Sequence, residues 1–199
     1  MHALIVKGLK GYFTHIHGAK IWATIAKSEG YAPDDFELTI VEDRQLANRF
    51  VVKGAQLLDR TDDDLLQDFG LYLITHPSTN ALRRLMRFSG PDFMEFLVSL
   101  PDLAPRVSLA VPDLILPRVD VAEIELGFEV AIRDTIDGFD HVLVGVIRGM
   151  ADDYGALVDI TQTDCKANRD LPDYSYWSVL VLDVAFHKGR EFGLLGDTA

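Results

Sequence analysis

Residues 117–150 read PRVDVAEIELGFEVAIRDTIDGFDHVLVGVIRGM, and the periodicity of this stretch decides the fold class. Val119, Val121, Ile124, Leu126, Phe128, Val130 and Ile132 largely alternate with polar residues, the period of a half-buried strand, and predict a hairpin. From Phe139 the period changes. Phe139, Val142, Leu143, Val146, Ile147 and Met150 keep helical spacing, which predicts an amphipathic helix over about 138–152. Downstream, Ala156–Thr163 and Tyr174–Phe186 read as two further strands joined by a polar loop. Two strands, a helix and two strands make a small antiparallel sheet with a helix on one face.

Upstream of Pro112–Pro117 the texture is helical. Leu4, Ile5, Gly8, Leu9, Tyr12 and Phe13 fall on one face, and Ile21, Trp22, Ile25 and Ala26 form the next stripe after a break at Gly18. Gly30 stands where a helix C-cap favours positive φ. Residues 45–58 predict another helix, and Thr61 followed by Asp62, Asp63 and Asp64 is a helix start: a capping hydroxyl, then carboxylates facing the dipole. That helix runs to about Thr75 and is broken at His76-Pro77-Ser78. Two more are expected over 78–88 and 90–100. The expected class is α+β: one domain over 1–199, with a mainly helical part (1–111) and an αβ part (112–199).

At 199 residues, 48% hydrophobic and 25% charged, the chain is long enough and apolar enough to bury a core. Its net charge of −12 argues against nucleic acid, whose affinity depends on Lys and Arg releasing counterions, and against an anionic membrane surface. The apolar runs Val107–Leu116 and Val179–Phe186 are far shorter than the roughly 18–20 residues of a membrane span. The opening MHALIVKGLKGYF lacks the plan of a secretory signal, and Cys165 is a lone cysteine. A soluble chain in a reducing, cytoplasmic setting is expected.

No catalytic set is legible. His15 and His17 stand about 200° apart on a helix and would not share an ion there. Asp34-Asp35 and Asp152-Asp153 read as loop or helix-end acids, and nothing pairs Cys165 with a histidine. Arg83, Arg84 and Arg87 read as a solvated basic face, or a site for an acidic partner. Phosphate-binding glycine loops, the G-x-S-x-G elbow, the H-E-x-x-H helix and paired-cysteine zinc spacings are absent. These readings favour a sensor or binding module over an enzyme, and predict no metal site.

Several segments in order resemble the H-NOX family of haem nitric oxide/oxygen-binding domains. They are Met1–Val6, Thr14–Gly18 followed by Trp22, and Asp68-Phe69-Gly70-Leu71-Tyr72. Pro112-Asp113-Leu114-Ile115-Leu116-Pro117, Val144–Gly149 and Thr161-Gln162-Thr163 continue the series. The resemblance implies an H-NOX-like fold, with haem between a helical part and an αβ part. It also implies regulation of a signalling partner such as a histidine kinase or a cyclic-dinucleotide enzyme.

The haem chemistry does not carry over with the fold. The resemblance places the family's iron-ligating histidine at Ala104, within Leu100-Pro101-Asp102-Leu103-Ala104-Pro105-Arg106-Val107, and a methyl group has no lone pair to give. The family's Y-x-S-x-R signature falls on Ile132, Asp134 and Ile136, which replace a propionate-binding guanidinium by an aliphatic group and a serine by an anion. Strand alternation points Arg133 to the other face. The family-equivalent pocket positions are thus Ala104, Pro117, Ile132, Asp134 and Ile136, and no haem cofactor is expected. An empty haem-sized space is costly, at about 24 cal/mol per Å³. Either larger side chains such as Ile132 and Ile136 fill it, or an apolar molecule, a fatty acyl chain or another porphyrin, occupies it. The alternative is a haem gas sensor with substitute ligation through His76 or His141.

Overall fold

The structure, a computed structural model, describes residues 3–35, 45–112, 114–133, 135–164 and 173–189. Asp134 and Cys165 lie outside them. Helix α1 (Ala3–Tyr12) runs into a π-helical turn, Phe13–His17, and the chain then breaks at Gly18, whose φ of 93° suits glycine. Helices α2 (Ala19–Ser28), α3 (Leu46–Leu58) and α4 (Asp62–Thr75) follow, then α5 (Asn80–Arg87), α6 (Phe93–Val98) and α7 (Leu103–Ala110). The sheet comprises β1 (Val119–Ile124), β2 (Gly127–Arg133), β3 (Leu157–Thr163) and β4 (Tyr174–Asp183), with helix α8 (Phe139–Tyr154) between β2 and β3 in sequence. Its order is β1-β2-β4-β3, with every pairing antiparallel. The fold is therefore α+β, helices first and sheet second.

Local rules explain most element ends. Thr61 caps α4 by accepting the Asp64 N–H at 3.1 Å. Asp92 caps α6 in the same way, accepting from Glu95 N at 2.9 Å. That cap shortens the helix expected over 90–100 to Phe93–Val98, and α5 begins at Asn80 because Pro77–Thr79 forms a 3₁₀ turn. Helix α7 is not among the expected elements; it accommodates Pro105 because that residue sits in its first turn, where a missing N–H costs nothing. On α1 the buried face is carried by Val6, Leu9 and Tyr12, whereas Leu4 is exposed. Strand β4 ends at Asp183, three residues short of the expected Phe186.

Two hydrophobic clusters form, and they divide within α4 rather than at Pro112–Pro117. The first gathers Leu9, Tyr12, Phe13, Trp22, Phe50, Phe69 and their neighbours. The second joins Ile74 and α6–α7 to the sheet and α8. Helices α4 and α8 cross between them at very short range. A Cβ built at Gly145 would stand 1.9 Å from the Gln67 carbonyl oxygen, and one at Gly70 would stand 2.0 Å from that of Val142. Glycine on both sides of the crossing is what lets the helix backbones touch. Helix α8, amphipathic in sequence, is consequently buried toward the sheet and toward α4.

A further contact corrects the reading of the arginine-rich helix. Asp153, 2% exposed at the end of α8, accepts from Arg83 Nε at 2.6 Å and pairs with Arg87 Nε at 3.5 Å. Arg87 also lies over the Tyr154 ring, 4.0 Å from its centroid. Arg83 and Arg87 therefore form no solvated face, and Asp153 is no loose helix-end acid. Together they clamp α5 to α8, an arrangement invisible to sequence because the partners are 70 residues apart.

Candidate functional site

Of the described family-equivalent positions, Ile132 and Ile136 share a cleft that Ala104 and Pro117 do not line. Leu100, Leu103 and Val107 turn the segment carrying Ala104 into the second core, where they join Val119, Phe128, Val130 and Ile132. Ala104 itself is half-buried, Pro117 is buried, and Ile132 is 1% exposed. Ile132 and Ile136 instead border a cleft of about 330 Å³ at the end of the sheet beneath the start of α8. Asp63, Arg133, Asp137, Gly138, Asp140, His141, Gln162 and Ser175 complete its wall, and Ala104 and Pro117 take no part in it. Arg133, the exposed last residue of β2, is also among the residues that line this cleft.

A polar chain ties the cleft to α4. His141 Nδ1 meets Gln67 Nε2 at 3.3 Å, its Nε2 meets Asp63 Oδ1 at 3.3 Å, and the ring packs edge-on to Trp177 at 5.3 Å. Trp177 Nε1 donates to Asp140 Oδ2 at 3.2 Å, and Arg148 donates to Gln67 Oε1 at 2.6 Å. Asp63 reads in the sequence as a helix-start acid alone; its partner His141 comes from a helix in the other half of the chain. No spacing rule reaches that far.

The arrangement fits hydrogen bonding to a polar or cationic group, and it contains no activated nucleophile. Ser175 Oγ donates to the Ile132 carbonyl at 3.5 Å rather than to His141. Among the described residues no three His, Cys, Asp or Glu side chains are grouped to hold a metal ion.

Haem would require an axial donor and positive or hydroxyl groups for its propionates. Ala104 ends in a methyl group, and both ring nitrogens of His141 are engaged. His76 stacks on His15 at 4.5 Å, stacks on Tyr72 at 4.8 Å, and turns Nδ1 to Ser78 Oγ at 2.7 Å. On the propionate side Ile132 is buried, and Arg133 shares the cleft with three carboxylates. Among the described residues, those at the family-equivalent positions do not fit a histidine-ligated haem.

No described helix is long and apolar enough to cross a membrane. Searching curated proteins finds no match. Among solved structures, the fold is similar to that of an H-NOX protein from S. oneidensis in the Fe(II) ligation state (TM-score 0.75, 17% identity, covering 92% of this chain and 97% of that one). A mutant H-NOX of T. Tengcongensis aligns with TM-score 0.74 and 14% identity over 94% of this chain and all of the other. An oxygen-binding H-NOX domain related to soluble guanylate cyclases aligns with TM-score 0.69 and 15% identity over 96% of this chain and all of the other. At these identities the likeness concerns the fold. A sequence profile of the Haem-NO-binding family matches residues 2–162, which takes in every described helix, the hairpin and nearly all of β3. With the family's sequence pattern matched over most of its length and the fold shared with those domains, the chain belongs to the Haem-NO-binding family.

Proposed function

We propose that this chain is a haem-free regulatory member of its family, whose output is a contact with a signalling partner. The observation that carries the reading is Ala104 at the family's ligand position, on a segment whose Leu100, Leu103 and Val107 pack directly against the sheet. Of the two fates for a former haem space, this closed aliphatic packing supports filling by side chains, with Ile132 as one filler, over occupancy by a fatty acyl chain or another porphyrin. Family membership supports a partner such as a histidine kinase or a cyclic-dinucleotide enzyme.

Purification from haem-sufficient cells, with a visible spectrum and a native mass, tests this. The expected result is a colourless protein at its bare mass, and Ala104→His is expected to stay colourless because one restored donor opens no space in the packed core. Excess mass without colour would point to an apolar ligand. A stoichiometric Soret band would overturn the reading, and its loss in His76→Ala or His141→Ala would identify substitute ligation.

A further inference from the structure

The run Val179–Phe186 reads as one apolar stretch, yet only its first half is covered. Trp177 and Val179 pack against α8; Leu182, which alternates to the other face of β4, and Val184 and Phe186, past the strand's end, are 62%, 61% and 60% exposed. Leu126, 70% exposed in the β1–β2 turn, lies at the same end of the sheet, because Val181 N donates to its carbonyl at 3.2 Å. The segment after β4 is folded back on the molecule: His187 N donates to the Gly155 carbonyl at 3.2 Å. This patch is held in place by backbone bonds, unlike Leu109 and Ile115, which are isolated exposed side chains that need no explanation.

Its surroundings are acidic. Glu125 adjoins Leu126, Asp183 stands between Leu182 and Val184, and Asp159 is paired with Leu180 on the face that Leu182 shares; all three carboxylates are exposed. Among the described residues of the adjoining segment the cation is Lys188, with His187 beside it. We infer that this end of the sheet is a docking surface for a protein partner that presents apolar side chains flanked by lysines or arginines. A second copy would set these carboxylates against their own equivalents, in a chain already carrying −12, and an anionic membrane would repel them. The inference gives a location and a chemistry to the partner contact proposed above, and it rests on that reading.

The test uses the full chain and two labelled probes, a Leu/Lys amphipathic helical peptide and its Leu/Glu counterpart, followed by fluorescence anisotropy at low and moderate salt. The Leu/Lys peptide is expected to bind and the Leu/Glu peptide not, with affinity falling as salt rises. Replacing Leu182 and Phe186 by Ser is expected to weaken binding about tenfold or more, as for central apolar contacts. Glu125→Lys with Asp159→Lys should reverse the preference between peptides. Leu109→Ser with Ile115→Ser, and Asp102→Lys with Asp164→Lys, should leave binding within about twofold of the parent, since surface changes away from the contact matter little. Equal loss in the patch and control variants would overturn the proposal, as would a concentration-dependent dimer abolished by Leu182→Ser, or binding to anionic vesicles in preference to the peptide. The visible spectrum separates the two readings: a haem-loaded chain refutes the proposed function and leaves the peptide result to stand or fall alone.

Discussion

The two cores are built of different materials. The first is rich in rings: Tyr12 lies within 5.2–5.7 Å of Phe13, His17, Phe69 and Tyr72, and polar tips are satisfied inside it. Tyr12 Oη meets His17 Nε2 at 3.1 Å, and Tyr72 Oη meets His15 Nδ1 at 2.8 Å. The second is chiefly aliphatic where α7, the sheet and α8 meet, through Leu103, Val107, Val130, Ile132, Leu143 and Ile147. A ring core that buries a tyrosine hydroxyl responds to protonation, whereas an aliphatic core responds to volume. Ala104 and Ile132 fall in or beside the aliphatic core, so the region where the family resemblance calls for anchoring chemistry is packed with hydrocarbon side chains.

The two tryptophans sort conveniently between the cores, Trp22 in the first and Trp177 in the second, so fluorescence of Trp22→Phe and Trp177→Phe backgrounds follows each separately. The largest effect is expected where the cores are joined. Gly145→Ala sets a methyl against the backbone of Gln67 and Leu71, with no flexible side chain to yield, and should cost about 3 kcal/mol or more. Because α4 serves both cores, both tryptophan signals should move to lower urea together; a loss confined to Trp177 would show that the cores fold independently. Next comes Asp153→Ala, which removes the buried carboxylate shared by Arg83 and Arg87 and should cost about 2–3 kcal/mol, reported through Trp177. An unchanged urea midpoint would mean that the clamp is only a surface pair.

The smallest effect sharpens the contrast through pH. Burial, reinforced by the charge of Asp68, pushes the Tyr12 phenol up to about 12. A raised value means that the folded chain holds the proton more tightly than the unfolded one, whose phenol titrates near 10. Stability from this source is therefore complete below about pH 10 and is lost as pH climbs toward 12. Tyr12→Phe should flatten that alkaline limb while costing about 1 kcal/mol at neutral pH for the lost bond to His17. His17 has the opposite sense: burial, then the Arg60 charge, lowers it, so its contribution is present above its ordinary value and fades as pH falls below. Urea midpoints from pH 5 to 11 read both limbs, and an alkaline slope unchanged in Tyr12→Phe would assign it elsewhere.

The α+β class, the hairpin, the long helix after it and the Thr61 cap were all legible because each rests on neighbours within a few residues. The cost of that locality shows at the same places. Arg83 and Arg87 read as solvated because charge alone carries no address, and Asp153 looks ordinary until α5 is laid against α8. The cleft was half legible: Ile132 and Ile136 were marked through the family resemblance, whereas Asp63, Asp140 and Gln162 enter it only through packing.

What the sequence determined by itself is the alternation that makes four strands, the helical spacing around them, the acidic balance, and the methyl group at Ala104 where a ligand would stand. Tertiary structure decided which helix touches which, by allowing α4 and α8 to meet backbone to backbone at Gly70 and Gly145. It also decided which charges are buried in pairs and which apolar residues stay uncovered. Periodicity and capping are short-range, summed along the chain, whereas a glycine contact, an ion pair or an exposed patch is a property of two surfaces that only folding brings together.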